Sequence, residues 1–182
     1  DDSGQVPWLE SRGVTLIRGH GRLDGERRVR AGGQVLYAAR AVVIATGSGA
    51  AMPPIPGLAA ARPWTNREAT TASKIPGRLL VLGGGVVGVE MAQAYATLGS
   101  QVTLIEAEER LIAREEPFAG QQLRQGLIQR GVDVRTGVRA ETVRRDGPQV
   151  SVTLSDGQAV AGDEILVAVG RRPRTQDLGL ET

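Results

Sequence analysis

The chain has no cysteine and one histidine among its 182 residues. These residues therefore supply no disulfide framework, no thiol nucleophile and no zinc cluster, and His20 alone cannot hold a metal. Aromatic residues make up only 3%, which leaves little to stack on bases. Lys74 is the only lysine, and the remaining basic residues are arginines scattered along the chain. Despite a net charge of +2, nucleic acid is not an expected partner. No apolar run is long enough to cross a bilayer, and the chain opens without a signal-like pattern. No membrane partner is expected, and a cytoplasmic setting is the default. Glycine, by contrast, is plentiful at 25 residues, alongside 41% hydrophobic and 23% charged residues. Such proportions suit an α/β protein with one full domain and part of another.

The glycines are most informative at Leu79-Leu80-Val81-Leu82-Gly83-Gly84-Gly85-Val86-Val87-Gly88. An apolar run leads into G-x-G-x-x-G, which opens a helical pattern. The next apolar run, Val102-Thr103-Leu104-Ile105, ends in Glu106. Strand, phosphate-binding turn, helix and acid-terminated strand form the fingerprint of a dinucleotide site. Gly83 allows the tight turn, Gly85 lets the backbone approach a pyrophosphate, and Gly88 lets the helix pack close to the strand. The helix N-terminus offers unpaired N–H groups to the phosphates. Glu106 can accept from both hydroxyls of an adenosine ribose, and its charge favours NAD over NADP. Arg110 and Arg114 lie near enough in sequence to keep NADP as the alternative. The bland alternative for the whole stretch is a glycine-rich turn that binds nothing.

Elsewhere the pattern alternates between strands and helices. Residues 14–17 and the fully apolar residues 41–45 read as strands, the latter buried on both faces. A hairpin is expected around Gly32-Gly33. A proline-rich connector covers residues 50–64, and Thr65 can cap a short helix with Glu68 closing a capping box. Residues 86–98 form a helix with Met91, Tyr95 and Leu98 on one face and Gly99 as its stop. Pro117 opens another helix that ends at Gly131. Short alternating segments at residues 141–144, 150–154 and 158–160 read as a β-meander with tight Asp-Gly turns. Residues 164–169 form a last buried strand. The expected fold class is α/β. It comprises a Rossmann-like NAD(P)-binding domain, with a parallel sheet and a β-meander, and an incomplete piece of an FAD-binding domain. The expected domains are residues 1–62, 63–170 and a crossover at 171–182.

Four segments occur in one order: Arg18-Gly19-His20-Gly21, Val43-Ile44-Ala45-Thr46-Gly47-Ser48, the glycine fingerprint through Glu90, and Val169-Gly170-Arg171-Arg172-Pro173. In that order the chain resembles the pyridine nucleotide-disulfide oxidoreductases, the family of dihydrolipoamide dehydrogenase, glutathione reductase and mercuric reductase. The resemblance covers essentially the whole chain. It implies FAD contacts at His20, Gly21, Thr46, Gly47 and Ser48. It implies NAD contacts at Gly83, Gly85, Val86, Val87, Gly88, Glu106, Val138 and Gly170. Glu90 matches a carboxylate that pairs with a flavin-side lysine, a residue this chain does not supply. No catalytic residue proper is expected among these 182, and no metal site. Arg174 departs from the family's usual asparagine.

The resemblance also implies that the chain is an internal piece of a longer enzyme. The first FAD motif and the redox cysteine pair would precede Asp1; the second FAD motif and a dimerisation domain would follow Thr182. The implied activity is hydride transfer from NAD(P)H to FAD and on to a disulfide acceptor of the lipoamide type, in a homodimer. A flavin reductase with a mercuric- or quinone-type small-molecule acceptor is the alternative. A non-enzymatic nucleotide-binding module is the alternative of another class.

Overall fold

The computed structural model describes residues 2–182. The chain divides into two compact units, Asp1–Ser48 with Pro173–Thr182, and Gly49–Arg172.

The first unit opens with a short helix, α1 (Val6–Ser11). An antiparallel sheet of β1 (Arg22–Leu23), β2 (Arg28–Ala31) and β3 (Gln34–Tyr37) follows. Gly32 and Gly33 have φ +56° and +79°, and Ala31 pairs with Gln34 across them. Two consecutive positive φ angles are the requirement of the tight hairpin turn whose twist matches the strands. The C-terminal segment returns to β1: Leu23 N–H donates to Leu178 O at 2.7 Å, and Arg22 pairs with Asp177 and Glu181.

Two expected strands of this unit are absent. Residues 14–17 and 41–45 make no ladder with any described residue. Val43 is 85% exposed and Ile44 47%. An apolar run specifies burial, but a strand also needs a neighbour for its backbone N–H and C=O groups, and among the described residues none pairs with residues 41–45.

Next come β4 (Ser48–Ala50), α2 (Asn66–Thr71), β5 (Arg78–Leu82), α3 (Val86–Thr97), β6 (Gln101–Ile105), α4 (Pro117–Gln129) and β7 (Asp133–Arg135). They are followed by β8 (Ala140–Asp146), β9 (Gln149–Leu154), β10 (Ala159–Gly162), β11 (Glu164–Val167) and β12 (Arg171–Pro173), the last paired with β4. Four strands form a parallel sheet in the order β11-β5-β6-β7, and β10-β9-β8 form the antiparallel meander. Successive side chains of β5 point to opposite faces. Leu79 and Val81 join the core beneath α3 and α4, whereas Leu80 and Leu82 join the core beneath the meander. The sheet is thus the middle of three layers, and its central strand β5 is apolar from Leu79 to Leu82 because both faces are covered.

Both major helices end as their glycines foretell. At Gly99 (φ +97°), the N–H of Ser100 reaches Tyr95 O and that of Gly99 reaches Ala96 O. Gly131 (φ +82°) repeats the pattern with Val132 to Leu127 and Gly131 to Ile128. These paired bonds satisfy carbonyls that the helix itself leaves open. The buried face of α3 is Gly88, Val89, Ala92 and Tyr95, while Leu98 is 59% exposed. Leu98 follows the last helical turn, so the extrapolated stripe does not reach it. Burial pushes the Tyr95 phenol up, and its hydroxyl donates to Ala69 O at 2.7 Å. Thr65 caps α2 as expected: its side chain accepts from Arg67 N–H, and Glu68 accepts from Thr65 N–H at 2.8 Å.

The proline-rich stretch is built into the second unit. Leu58 and Ala61 are fully buried in the meander-side core, and Val143 N–H donates to Pro56 O at 2.9 Å. Arg145 links three segments, donating to Ala61 O at 2.8 Å and to Glu164 Oε2 at 2.6 Å. Asp163 accepts from Arg78 N–H at 2.8 Å and from its guanidinium at 2.7 Å. The guanidinium contact is the main reason its carboxyl lies below the usual carboxylate range.

Two outcomes follow. A carboxyl group depressed in the fold adds stability above its unfolded pKa and loses it as pH falls through the folded value. Asp163→Asn should therefore flatten the loss of stability below about pH 4, measured by urea melts at stepped pH. Alanine normally improves a helix interior by about 1 kcal/mol over glycine. At Gly88, however, a Cβ would collide with Gly83 O. Gly88→Ala should thus destabilise, by about 2 kcal/mol, read from the shift in denaturation midpoint.

Candidate functional site

The parallel strands deliver their carboxyl ends to one edge of the sheet. The chain goes from β5 to β6 and β7 on one side, and β11 flanks β5 on the other. The strand order therefore reverses beside β5, where open α/β sheets form a crevice for ligands. The glycine turn follows β5, Glu106 follows β6, Val138 lies beyond β7 and Gly170 beyond β11.

Each glycine of the turn meets a distinct constraint. Gly83 has φ +107°, and a Cβ there would stand 2.6 Å from Ala168 O. A Cβ at Gly84 would stand 2.5 Å from Leu111 Cδ2 and 3.0 Å from Glu106 Oε2. Gly88 touches the carbonyl of Gly83, so α3 begins directly against the end of β5. Gly85 differs: nothing lies within 4 Å of its Cβ position. The backbone is closed beneath the turn and open at Gly85, the residue that precedes the first turn of α3. A helix beginning there presents N–H groups and the positive end of its dipole.

Glu106 is half-buried beside this turn. One carboxylate oxygen accepts from Gly84 N–H, and the other accepts from Glu108 N–H at 2.8 Å. The backbone N–H of Val138 reaches Glu106 O at 3.2 Å. The two carboxylate bonds fix the side chain beside the glycine turn, and with about four lone-pair sites it retains acceptor capacity for further donors. Arg110 donates to Ala113 O at 3.0 Å, within its own loop.

The other expected contacts fall in two groups. Val86 (58% exposed), Val87 and Glu90 lie at the exposed start of α3. Val138 packs against the meander-side core. Gly170 (φ +126°) has open space at its Cβ position, and its carbonyl accepts from Ala51 N–H. With Gly83, Gly85, Gly88 and Glu106, these residues all belong to the second unit.

His20, Gly21, Thr46, Gly47 and Ser48 belong to the first. There, His20 Nε2 lies 3.1 Å from both Asp177 O and Asp177 Oδ2. Thr46 Oγ1 donates to Arg174 O at 2.6 Å, and Arg174 N–H to Gly47 O at 3.0 Å. Gly47 (φ +70°) has nothing near its Cβ position. Sequence reasoning did not single out Asp177 or Gly84. Gly84 carried a signal, since a third consecutive glycine exceeds what the fingerprint needs; Asp177 carried none.

Among the described residues no cluster of acidic or histidine side chains could hold a metal ion, and no helix is long and apolar enough to cross a membrane. The family model described as pyridine nucleotide-disulphide oxidoreductase matches residues 3–182. A dihydrolipoyl dehydrogenase of Thermus scotoductus is 39% identical over 98% of the chain, and a mercuric reductase of Staphylococcus aureus 32% over 97%. The chain spans 40% and 33% of the length of these two relatives. Among solved structures, LpdA from Mycobacterium tuberculosis superimposes with TM-score 0.82 at 31% identity, over 98% of this chain and 41% of that one. The HOCl-induced flavoprotein disulfide reductase RclA from Escherichia coli gives 0.85 at 28%, over 98% and 43%. With its glycine turn, its acid-ended second strand and a family match along nearly its whole length, the chain belongs to the pyridine nucleotide-disulphide oxidoreductases.

Proposed function

We infer that the second unit binds NAD(H) and that the protein works as an FAD-dependent oxidoreductase. With both bound, hydride would pass from NADH to FAD and electrons on to a disulfide acceptor of the lipoamide type. The observation that carries this reading is the pairing of the open Gly85 backbone with the anchored Glu106 carboxylate at the strand-order reversal.

The residues suit the nucleotide. The Gly83–Gly88 turn and the start of α3 would hold the diphosphate, since bare backbone and helix N–H groups meet it without a side chain between. Glu106 would accept from the adenosine ribose, and Val138 would flank the adenine. Val86, Val87 and Gly170 would border the nicotinamide. A 2′-phosphate would face the Glu106 charge, with Arg110 already engaged by its own loop; NAD is therefore the coenzyme of choice. In the first unit, the bare backbone at Gly47 and the neighbouring His20, Gly21, Thr46 and Ser48 suit the edge of FAD. Bound flavin and nicotinamide supply the hydride chemistry, while the protein orients them and excludes water. Glu90 stands at the exposed start of α3.

The mercuric reductases among the relatives favour a second reading of the acceptor, a metal ion in place of lipoamide. The 182 residues hold no cysteine, so thiol chemistry for either acceptor would belong to residues other than these.

Fluorescence titration of the chain with NADH and NADPH tests the coenzyme reading. NADH should bind at least about tenfold more tightly, the weight of one charge–charge conflict at the ribose. A preference for NADPH, or uptake of neither, overturns it. Gly85→Ala should separate binding from folding. Stability should stay within about 1 kcal/mol, because the new Cβ meets open space, while the NADH dissociation constant rises about tenfold or more as the methyl enters the diphosphate position.

A further inference from the structure

The loop after β6, residues 106–116, holds Gly84 from two sides. Glu106, at its start, takes the Gly84 N–H. Ile112, at its centre, donates its own N–H to Gly84 O at 2.8 Å. To do so Ile112 adopts φ +43°, a left-handed conformation that a β-branched residue takes only when its surroundings enforce it.

The enforcing contacts are at hand. Leu111 is 1% exposed, and its Cδ2 fills the space where Gly84 would carry a Cβ. The carbonyl of Leu111 presses on Gly120 of α4, 2.6 Å from where a Cβ would stand. Glu115 N–H closes a turn on Ile112 O at 2.8 Å. The Ile112 side chain packs against the helix-side core, which accounts for an isoleucine where glycine or asparagine would sit with less strain.

The peptide linking Gly84 to Gly85 is planar and trans, so the Gly84 carbonyl and the Gly85 N–H point in opposite directions. A donor that fixes the carbonyl fixes the N–H as well. We propose that Ile112 is a positioning residue for the nucleotide: its amide holds the Gly84 carbonyl and so turns the Gly85 N–H toward the diphosphate. The inference rests on the NAD(H) reading and adds a residue outside the glycine fingerprint. Strain at Ile112 is the cost of placing a donor beneath the turn.

The test removes one atom pair. Ile112 is replaced by its α-hydroxy acid analogue, which exchanges the N–H for an ester oxygen and keeps the side chain. With the fold retained by circular dichroism, the NADH dissociation constant should rise about tenfold, the weight of one charge-assisted hydrogen bond set out of line. Binding of adenosine, which lacks a diphosphate, should stay within twofold. Ile112→Asn keeps the amide and tolerates positive φ, and it should bind NADH within about threefold of the unaltered chain. Equal NADH affinity in the folded ester variant overturns the proposal, as does an equal loss for adenosine or for Ile112→Asn. Should the ester variant not fold, amide NMR of the unaltered chain decides. Inorganic pyrophosphate must shift the Gly85 N–H resonance, and an unmoved resonance overturns the assignment. Failure of the NAD(H) reading is distinguishable, because then the unaltered chain itself takes up no NADH and both proposals fall together.

Discussion

The first turn of α3 is pressed against the end of β5 so closely that Gly88 has no room for a single methyl group beside the Gly83 carbonyl. This contact sets where the helix begins, and therefore where its unpaired N–H groups point. It requires Gly83 to leave the strand with positive φ beneath Ala168. Beside it, the ladder that pairs Val167 with Leu82 brings the ends of β11 and β5 level with each other. The closeness of a helix and a strand, a packing matter, is what gives the edge of the sheet its chemistry.

The rest of the second unit keeps that contact rigid. Two separate apolar cores cover the faces of the parallel sheet. The connector before α2 contributes Leu58 and Ala61 to one of them. Arg145 then ties this connector to both the meander and β11 through hydrogen bonds with little solvent around them. Charged pairs of this kind add little net energy, yet leaving one partner alone is costly, so they discriminate against alternative arrangements of the layers.

Local features were legible where one residue type serves one backbone need. Gly99 and Gly131 announced helix ends, Gly32-Gly33 a hairpin, Thr65 and Glu68 a capping box, and the spacing from Gly83 to Glu106 a strand–helix–strand unit. The meander was readable because Asp146-Gly147 and Asp156-Gly157 punctuate alternating residues. Features that depend on distant partners were not. Residues 41–45 have the composition of a buried strand, but composition does not name the neighbour that must pair with it. Leu58 looks like any residue of a proline-rich stretch until the meander covers it. Ile112 was the least legible, since β-branched side chains signal extended backbone and its left-handed turn is imposed by Leu111 and Gly120. At the site, Glu106 was identified from its distance along the chain, whereas its bonds to Gly84 and Glu108 emerge only once β5 and β6 lie side by side.

Trp64 has a consequence that lies apart from nucleotide chemistry. Its N–H donates to Ile165 O and its carbonyl accepts from Val167 N–H, both at 2.8 Å, so its backbone occupies the outer rim of β11. An apolar strand left bare there would be a template onto which another chain could add, the usual beginning of ordered aggregation. A single residue from the connector shields that rim, and thus helps keep the molecule from polymerising through its own sheet.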